Sequence, residues 1–80
     1  MRTSLYEMPS GANGRVCLIS EADAIPRLEV IGIRTGATIT KQFKSAGNSL
    51  VVRVGDARVC ISATIAKAIE VEMNQLGNAG

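Results

Sequence analysis

Apolar and polar residues alternate along much of this chain, and the interruptions are as informative as the alternation. From Ala37 to Lys44, Ile39 and Phe43 fall on one face of an extended segment; Thr38, Thr40, Gln42 and Lys44 fall on the other. Lys41 breaks that series and marks an edge strand or a strand end. Leu50, Val52 and Val54 alternate with Val51 and Arg53, while Ala57, Val59 and Ile61 share a face. Ile69, Val71 and Met73 alternate with Glu70 and Glu72 in a last strand. Arg15 to Ser20 differs, because Val16, Cys17, Leu18 and Ile19 form a nearly continuous apolar run. Such a run suits a small barrel strand that carries a bulge or a sharp twist.

A different period governs the stretch between the first and second strands. Ile25, Leu28 and Ile31 recur every three positions and predict a short helix, Ile25 to Ile31. Pro26 falls in its first turn, where a missing N–H is harmless, and Glu21 and Asp23 precede its positive end. Gly32 stands where a left-handed cap residue is wanted, and Gly36 turns the chain into the next strand. Ser45 to Ser49 is a hairpin loop, and Gly55-Asp56 suits a type II′ turn. Ser62 caps one helical turn that runs to Lys67.

At the ends, Met1 to Ser4 is expected to fray, and Leu5 is the first residue placed to pack. Residues 1–74 read as one domain and residues 75–80 as a disordered tail. The expected fold class is all-β with one short helix: a small barrel of about five strands, whose closure hides the sheet edges.

Eighty residues, 46% of them apolar, fit a single domain with a small core and no need of a disulfide scaffold. Cys17 and Cys60 lie in apolar runs and read as reduced, buried thiols. No apolar run is long enough to span a bilayer, and Met1 to Ser10 lacks a secretory core, so a cytoplasmic location without membrane insertion is expected. Net charge is +2, but residues 30–69 carry Arg34, Lys41, Lys44, Arg53, Arg58 and Lys67 against Asp56 alone. A basic middle could suit a nucleic-acid backbone or an acidic protein surface. With only Tyr6 and Phe43 as stacking platforms, nucleic acid is the poorer match, and the basic residues read as a solvated face.

Catalysis has little to work with. The chain has no histidine, the commonest general base and metal ligand. Cys17 and Cys60 lack a CxxC partner, and the acidic residues show no ligand-like spacing, so no metal, cofactor or catalytic residue is expected. Gly11-Ala12-Asn13-Gly14 matches a GxxG phosphate clamp only in letters, since a strand follows it where that clamp needs a helix. No Gly-Lys-Ser/Thr sequence supports a P-loop, and Gly32 and Gly36 already have backbone explanations.

An ordered series of residues then resembles the FeoA family, small cytosolic proteins of bacterial ferrous-iron uptake. It begins with Met8-Pro9-Ser10-Gly11, Gly14-Arg15-Val16 and Ile19, and continues through Arg27-Leu28, Ile31-Gly32-Ile33, Gly36 and Ile39. It closes with Gly47, Val52, Val54-Gly55, Val59-Cys60-Ile61, Ala66 and Ile69-Glu70-Val71. The family fold is an SH3-like barrel, the natural size match for the strand pattern. The chain departs from the family at Gly47-Asn48-Ser49, where a Gly-Asp-Pro-like loop is usual; at Ser62, where an arginine is common; and at Ile31, where leucine or methionine is typical.

The resemblance implies a non-catalytic protein that binds the cytosolic region of a membrane ferrous-iron permease with a GTPase domain and tunes its activity. The helix and the turn after it are the expected contact surface, with Leu28, Ile31, Gly32, Arg34 and Gly36 as the partner-binding candidates. Leu28 and Ile31 could equally serve the core. The alternative is a regulatory SH3-like domain acting on nucleic acid or with a metal-responsive repressor. A monomer is expected, or a weak dimer paired through Lys41 to Lys44.

Overall fold

The alternating segments pair into one antiparallel sheet. The structure, a computed structural model, describes residues 1–45 and 47–73. Its strands are β1 (Arg2–Ser4), β2 (Asn13–Ile19), β3 (Thr38–Ser45), β4 (Ser49–Val54), β5 (Ala57–Ser62) and β6 (Ile69–Met73). Helix α1 (Ile25–Val30) follows a single 3-10 turn, Ala22–Ala24, and helix α2 (Ala63–Lys67) links β5 to β6. The strand order is β1-β6-β2-β3-β4-β5, so β1 and β5 are the two edges. The disordered tail expected at residues 75–80 lies outside the described residues.

Two bulges bend the sheet. In β2 the register against β6 shifts between Val16 and Leu18, which leaves Cys17 as the extra residue. Val16 and Ile19 are buried, Cys17 is half-buried and Leu18 is exposed. The continuous apolar run is therefore a strand whose inward face changes parity at Cys17, as the bulge reading anticipated. In β3 a second shift falls between Lys41 and Phe43. Ile39 and Lys41 point inward before it, and Phe43 is turned to solvent after it.

That second bulge corrects two expectations. Phe43 does not share the core face with Ile39, because the extra residue breaks the period-2 relation between them. Lys41 marks neither an edge nor a strand end: β3 lies between β2 and β4, and Lys41 is 3% exposed. Its ammonium donates to the Tyr6 carbonyl at 2.6 Å, and its backbone bonds Gly11 and Ala12, which extends the β2–β3 ladder into the preceding loop. Lys41 is paired on both sides, to Val52 of β4 and to Gly11 and Ala12 of the loop before β2, so it offers no free edge for self-pairing.

Nor does the N-terminus fray. β1 pairs with β6 through Arg2–Glu72, Thr3–Val71 and Ser4–Glu70. Glu72 ties the edge down, accepting from the Met1 ammonium at 2.6 Å and from Arg2 Nε at 3.3 Å. These contacts, the ammonium hydrogen bond foremost, hold the Glu72 carboxyl below the usual carboxylate range. Three residues are too few to show a period, and a strand of this length forms because β6 offers it a ready ladder. The sheet thus has six strands among the described residues, where about five were expected.

The turns follow their residue types. Gly32 adopts φ +93°; its N–H reaches the Glu29 carbonyl at 3.0 Å, and Ile33 N–H reaches the Leu28 carbonyl at 2.9 Å. This is a Schellman cap, which brings Leu28 and Ile33 into the core together. Gly55 has φ +61° and Asp56 a negative φ, as the type II′ turn between β4 and β5 requires. Ser62 Oγ accepts from Ile65 N–H at 3.3 Å and caps α2.

One buried cluster fills the bent sheet. Leu5, Met8, Ile33, Ile39, Leu50, Val52, Ile69 and Val71 are almost wholly enclosed, and Leu28 from α1 and Ala66 from α2 close its ends. Each such large side chain contributes about 1.5–3 kcal/mol relative to exposure. The thiols are free, but the expectation that both are buried is corrected: Cys17 is half-buried and Cys60, outward-facing on edge strand β5, is exposed.

Candidate protein-docking surface

Helix α1 is short and has one inward position. Leu28 is buried and Ile25 packs against the core, while Val30 is 85% exposed and Ile31 37% exposed. Helical phase explains the difference: with Leu28 inward, a residue two positions on must face away. The cap at Gly32 then returns the chain to the core at Ile33, leaving Val30 and Ile31 as an apolar tip at the end of α1. The following turn is held by Gly36, which at φ +95° donates to the Val16 carbonyl at 2.8 Å, and by Ala37 N–H to the Arg34 carbonyl at 2.9 Å. Arg34 is exposed on that turn.

A shallow, mostly apolar cavity of about 160 Å³ opens on α1's other flank, lined by Ala24, Arg27, Leu28, Ile61, Ser62 and Ile65. It lies between α1 and the junction of β5 with α2, beside the sheet edge. The sequence candidates therefore separate into three kinds. Leu28 belongs to the core and shows the surface only through this cavity. Gly32 and Gly36 set backbone geometry. Ile31 and Arg34 are the candidates whose side chains face solvent. Val30 was missed, although the helical phase set by Leu28 carries the signal that would have found it.

Among the described residues no group of three or more His, Cys, Asp or Glu side chains could hold a metal ion. No helix among them is long and apolar enough to cross a membrane. A second cavity, about 230 Å³ and lined by Thr3, Ser4, Leu18, Ser20, Lys67, Ala68 and Glu70, sits where α2 returns to β6. Of its hydroxyls, Ser20 Oγ donates to the Ala68 carbonyl at 3.1 Å and Ser4 Oγ accepts from the Glu7 N–H at 3.1 Å.

Comparison with known proteins places this geometry. The FeoA domain family profile matches residues 3–73, from the second residue of β1 to the end of β6. The chain belongs to the FeoA domain family. FeoA domains are small non-catalytic accessory domains associated with ferrous-iron transport. The chain is similar to the crystal structure of an iron uptake regulatory protein, FeoA, with 28% identity and a TM-score of 0.83 over 92% of this chain and all of that one. It is also similar to Stenotrophomonas maltophilia FeoA, solved in complex with zinc and described as an SH3 domain protein. There the identity is 25% and the TM-score 0.70, with 92% of each chain covered. The bent sheet is accordingly the SH3-like fold. A manganese-dependent transcriptional repressor shares the fold at 22% identity and a TM-score of 0.82, over 91% of this chain and 42% of that protein. No curated protein matches the chain in sequence.

Proposed function

We propose that this FeoA-family chain is a cytoplasmic accessory domain that binds the cytosolic region of a membrane ferrous-iron permease with a GTPase domain and modulates its activity. The observation that carries the reading is the apolar tip Val30–Ile31, exposed at the end of α1 and flanked by Arg27 and Arg34. Exposed aliphatic residues rimmed by arginine on a rigid frame suit a protein contact, where a few desolvated side chains supply most of the affinity. Gly32 and Gly36 serve that contact indirectly, by fixing the turn that presents Arg34. Leu28 holds α1 against the core. The chain works as a monomer or through weak self-association, and takes no cofactor of its own.

Isothermal titration of the permease's cytosolic domain with this chain tests the reading. The double variant Val30→Glu/Ile31→Glu is expected to weaken binding by about 30-fold or more, as loss of a central apolar contact does. Its thermal midpoint should stay near the parent's, since both side chains already face water. Absence of binding by the parent chain, or equal binding by the variant, would sink the reading.

The second reading, a regulatory domain working on nucleic acid or beside a metal-responsive repressor, draws on the repressor likeness, which concerns fold alone. With six and five residues, α1 and α2 are too short to read a major groove. A gel shift that weakens steeply with salt would favour this second reading over the first.

A further inference from the structure

Away from the docking face, three ammonium groups meet at one aromatic ring. The Nζ atoms of Lys44, Lys67 and Lys41 lie 4.3, 4.9 and 5.8 Å from the centroid of the Tyr6 ring. Lys41 and Lys44 come from β3, on either side of its bulge, and Lys67 from the last turn of α2. Tyr6 follows β1 and packs partly against the core. Lys41 is buried and spends one ammonium hydrogen on the Tyr6 carbonyl, which leaves two more to donate.

The ring alone does not balance this much positive charge. A cation over an aromatic face gains from the ring quadrupole, but three like charges around one ring repel one another. Among the described residues the ion pairs run from Met1 and Arg2 to Glu72, and no carboxylate pairs with these lysines. Glu7 acts on Lys41 at longer range; burial and the Lys44 charge outweigh it and hold the Lys41 pKa below its ordinary value. Arg53 and Arg58 also lie opposite each other on β4 and β5, but both are exposed, and Arg53 Nε donates to the Gly55 carbonyl at 3.3 Å.

We propose that Tyr6, Lys41, Lys44 and Lys67 form a binding site for a compact, multiply charged phosphate group, as inorganic phosphate or a small phosphate monoester. All three ammonium groups lie within 5.8 Å of the centre of one ring, a compact grouping that suits several charges carried on one small ion. A carboxylate-rich peptide spreads its charges along a chain and would need a row of cations instead. The site contains lysine and no arginine, so it offers mobile point charges, the form in which lysine binds phosphate. The site is independent of the permease reading, since it shares no residue with α1 or its turn.

Tyr6 is the sole tyrosine and the chain has no tryptophan, so intrinsic fluorescence reports on this cluster alone. The full chain is titrated with inorganic phosphate, pyrophosphate and glycerol phosphate at constant ionic strength, with sodium chloride and a hexaglutamate peptide as comparisons, and amide shifts are followed by NMR. Saturable changes centred on Tyr6, Lys41, Lys44 and Lys67 are expected with the phosphates, and their relative strengths separate a free ion from an ester. The exposed pair Lys44→Gln/Lys67→Gln should weaken binding by about tenfold or more, as loss of two charge-assisted hydrogen bonds does, while Arg58→Gln on β5 leaves it unchanged. No saturation below roughly 20 mM, the same response to sodium chloride, stronger binding of the glutamate peptide, or full affinity in the lysine pair variant would each overturn the proposal.

Discussion

Gly14 is the position where a single added carbon should do most damage. It lies in β2, opposite Met73 of β6 on one side and Ile39 of β3 on the other, where three strands press together. A Cβ at this position would stand 2.5 Å from Val71 Cγ1 and 2.6 Å from the Glu72 carbonyl oxygen. Both distances fall about 1 Å short of ordinary contact, and neither neighbour can yield cheaply. Val71 is fully enclosed, and the Glu72 carbonyl belongs to the β2–β6 ladder.

Forcing extra volume into a packed site costs about 1–3 kcal/mol, and backbone on one side of the clash puts Gly14→Ala toward the upper part of that range. The lower entropy of the unfolded alanine chain returns about 0.4–1 kcal/mol. A net loss of about 2 kcal/mol in a domain of this size lowers the melting midpoint by roughly 8–16 °C. Thermal and urea unfolding followed by far-UV circular dichroism measures it. Gly36→Ala is the matched comparison: φ there is +95° with nothing within 4 Å of the added carbon, so only left-handed strain of about 1 kcal/mol is expected. A midpoint for Gly14→Ala within about 2 °C of the parent, or a larger loss in Gly36→Ala, would refute the steric account.

Leu28→Ala should cost about 2–4 kcal/mol in urea unfolding, because Leu28 is a core residue; an unchanged midpoint would return it to the surface. The Glu72 carboxyl is held below its ordinary value of 4.5, so the folded state binds that proton less readily than the unfolded state. Its contribution is therefore complete above that value and is lost as pH falls through the lower folded-state pKa. The stability gap between the parent and Glu72→Gln should be flat toward neutral pH and close in acid; a gap independent of pH contradicts the β1 clamp. Thiol labelling under native conditions should show one fast site, abolished in Cys60→Ser and retained in Cys17→Ser, because Cys60 is exposed and Cys17 half-buried.

Most strands and turns were legible because their causes are local. The alternation of Leu50, Val52 and Val54, the Gly55-Asp56 turn, the Ser62 cap and the Gly32 stop each depend on a few adjacent residues. Even the β2 bulge left a trace, since an unbroken apolar run cannot face one side of a regular strand. β1 left none, being three residues ordered by a ladder seventy positions away. Val30 needed the helix phase to be fixed first, and that phase is set by which residue the core accepts.

By itself the sequence determined the element types, the single small core, the poverty of catalytic groups and the family resemblance, all of which follow from local pattern and composition. The tertiary structure decided everything that depends on which strand lies beside which. It placed Lys41 in the centre of the sheet, with its ammonium on the Tyr6 carbonyl. It exposed Phe43 and Cys60, and it gathered three lysines from β3 and α2 around one ring. Side-chain direction in a strand reverses with every residue, so one bulge re-aims all that follows it. No period read along the chain contains that information, because the extra residue is defined only against its partner strand.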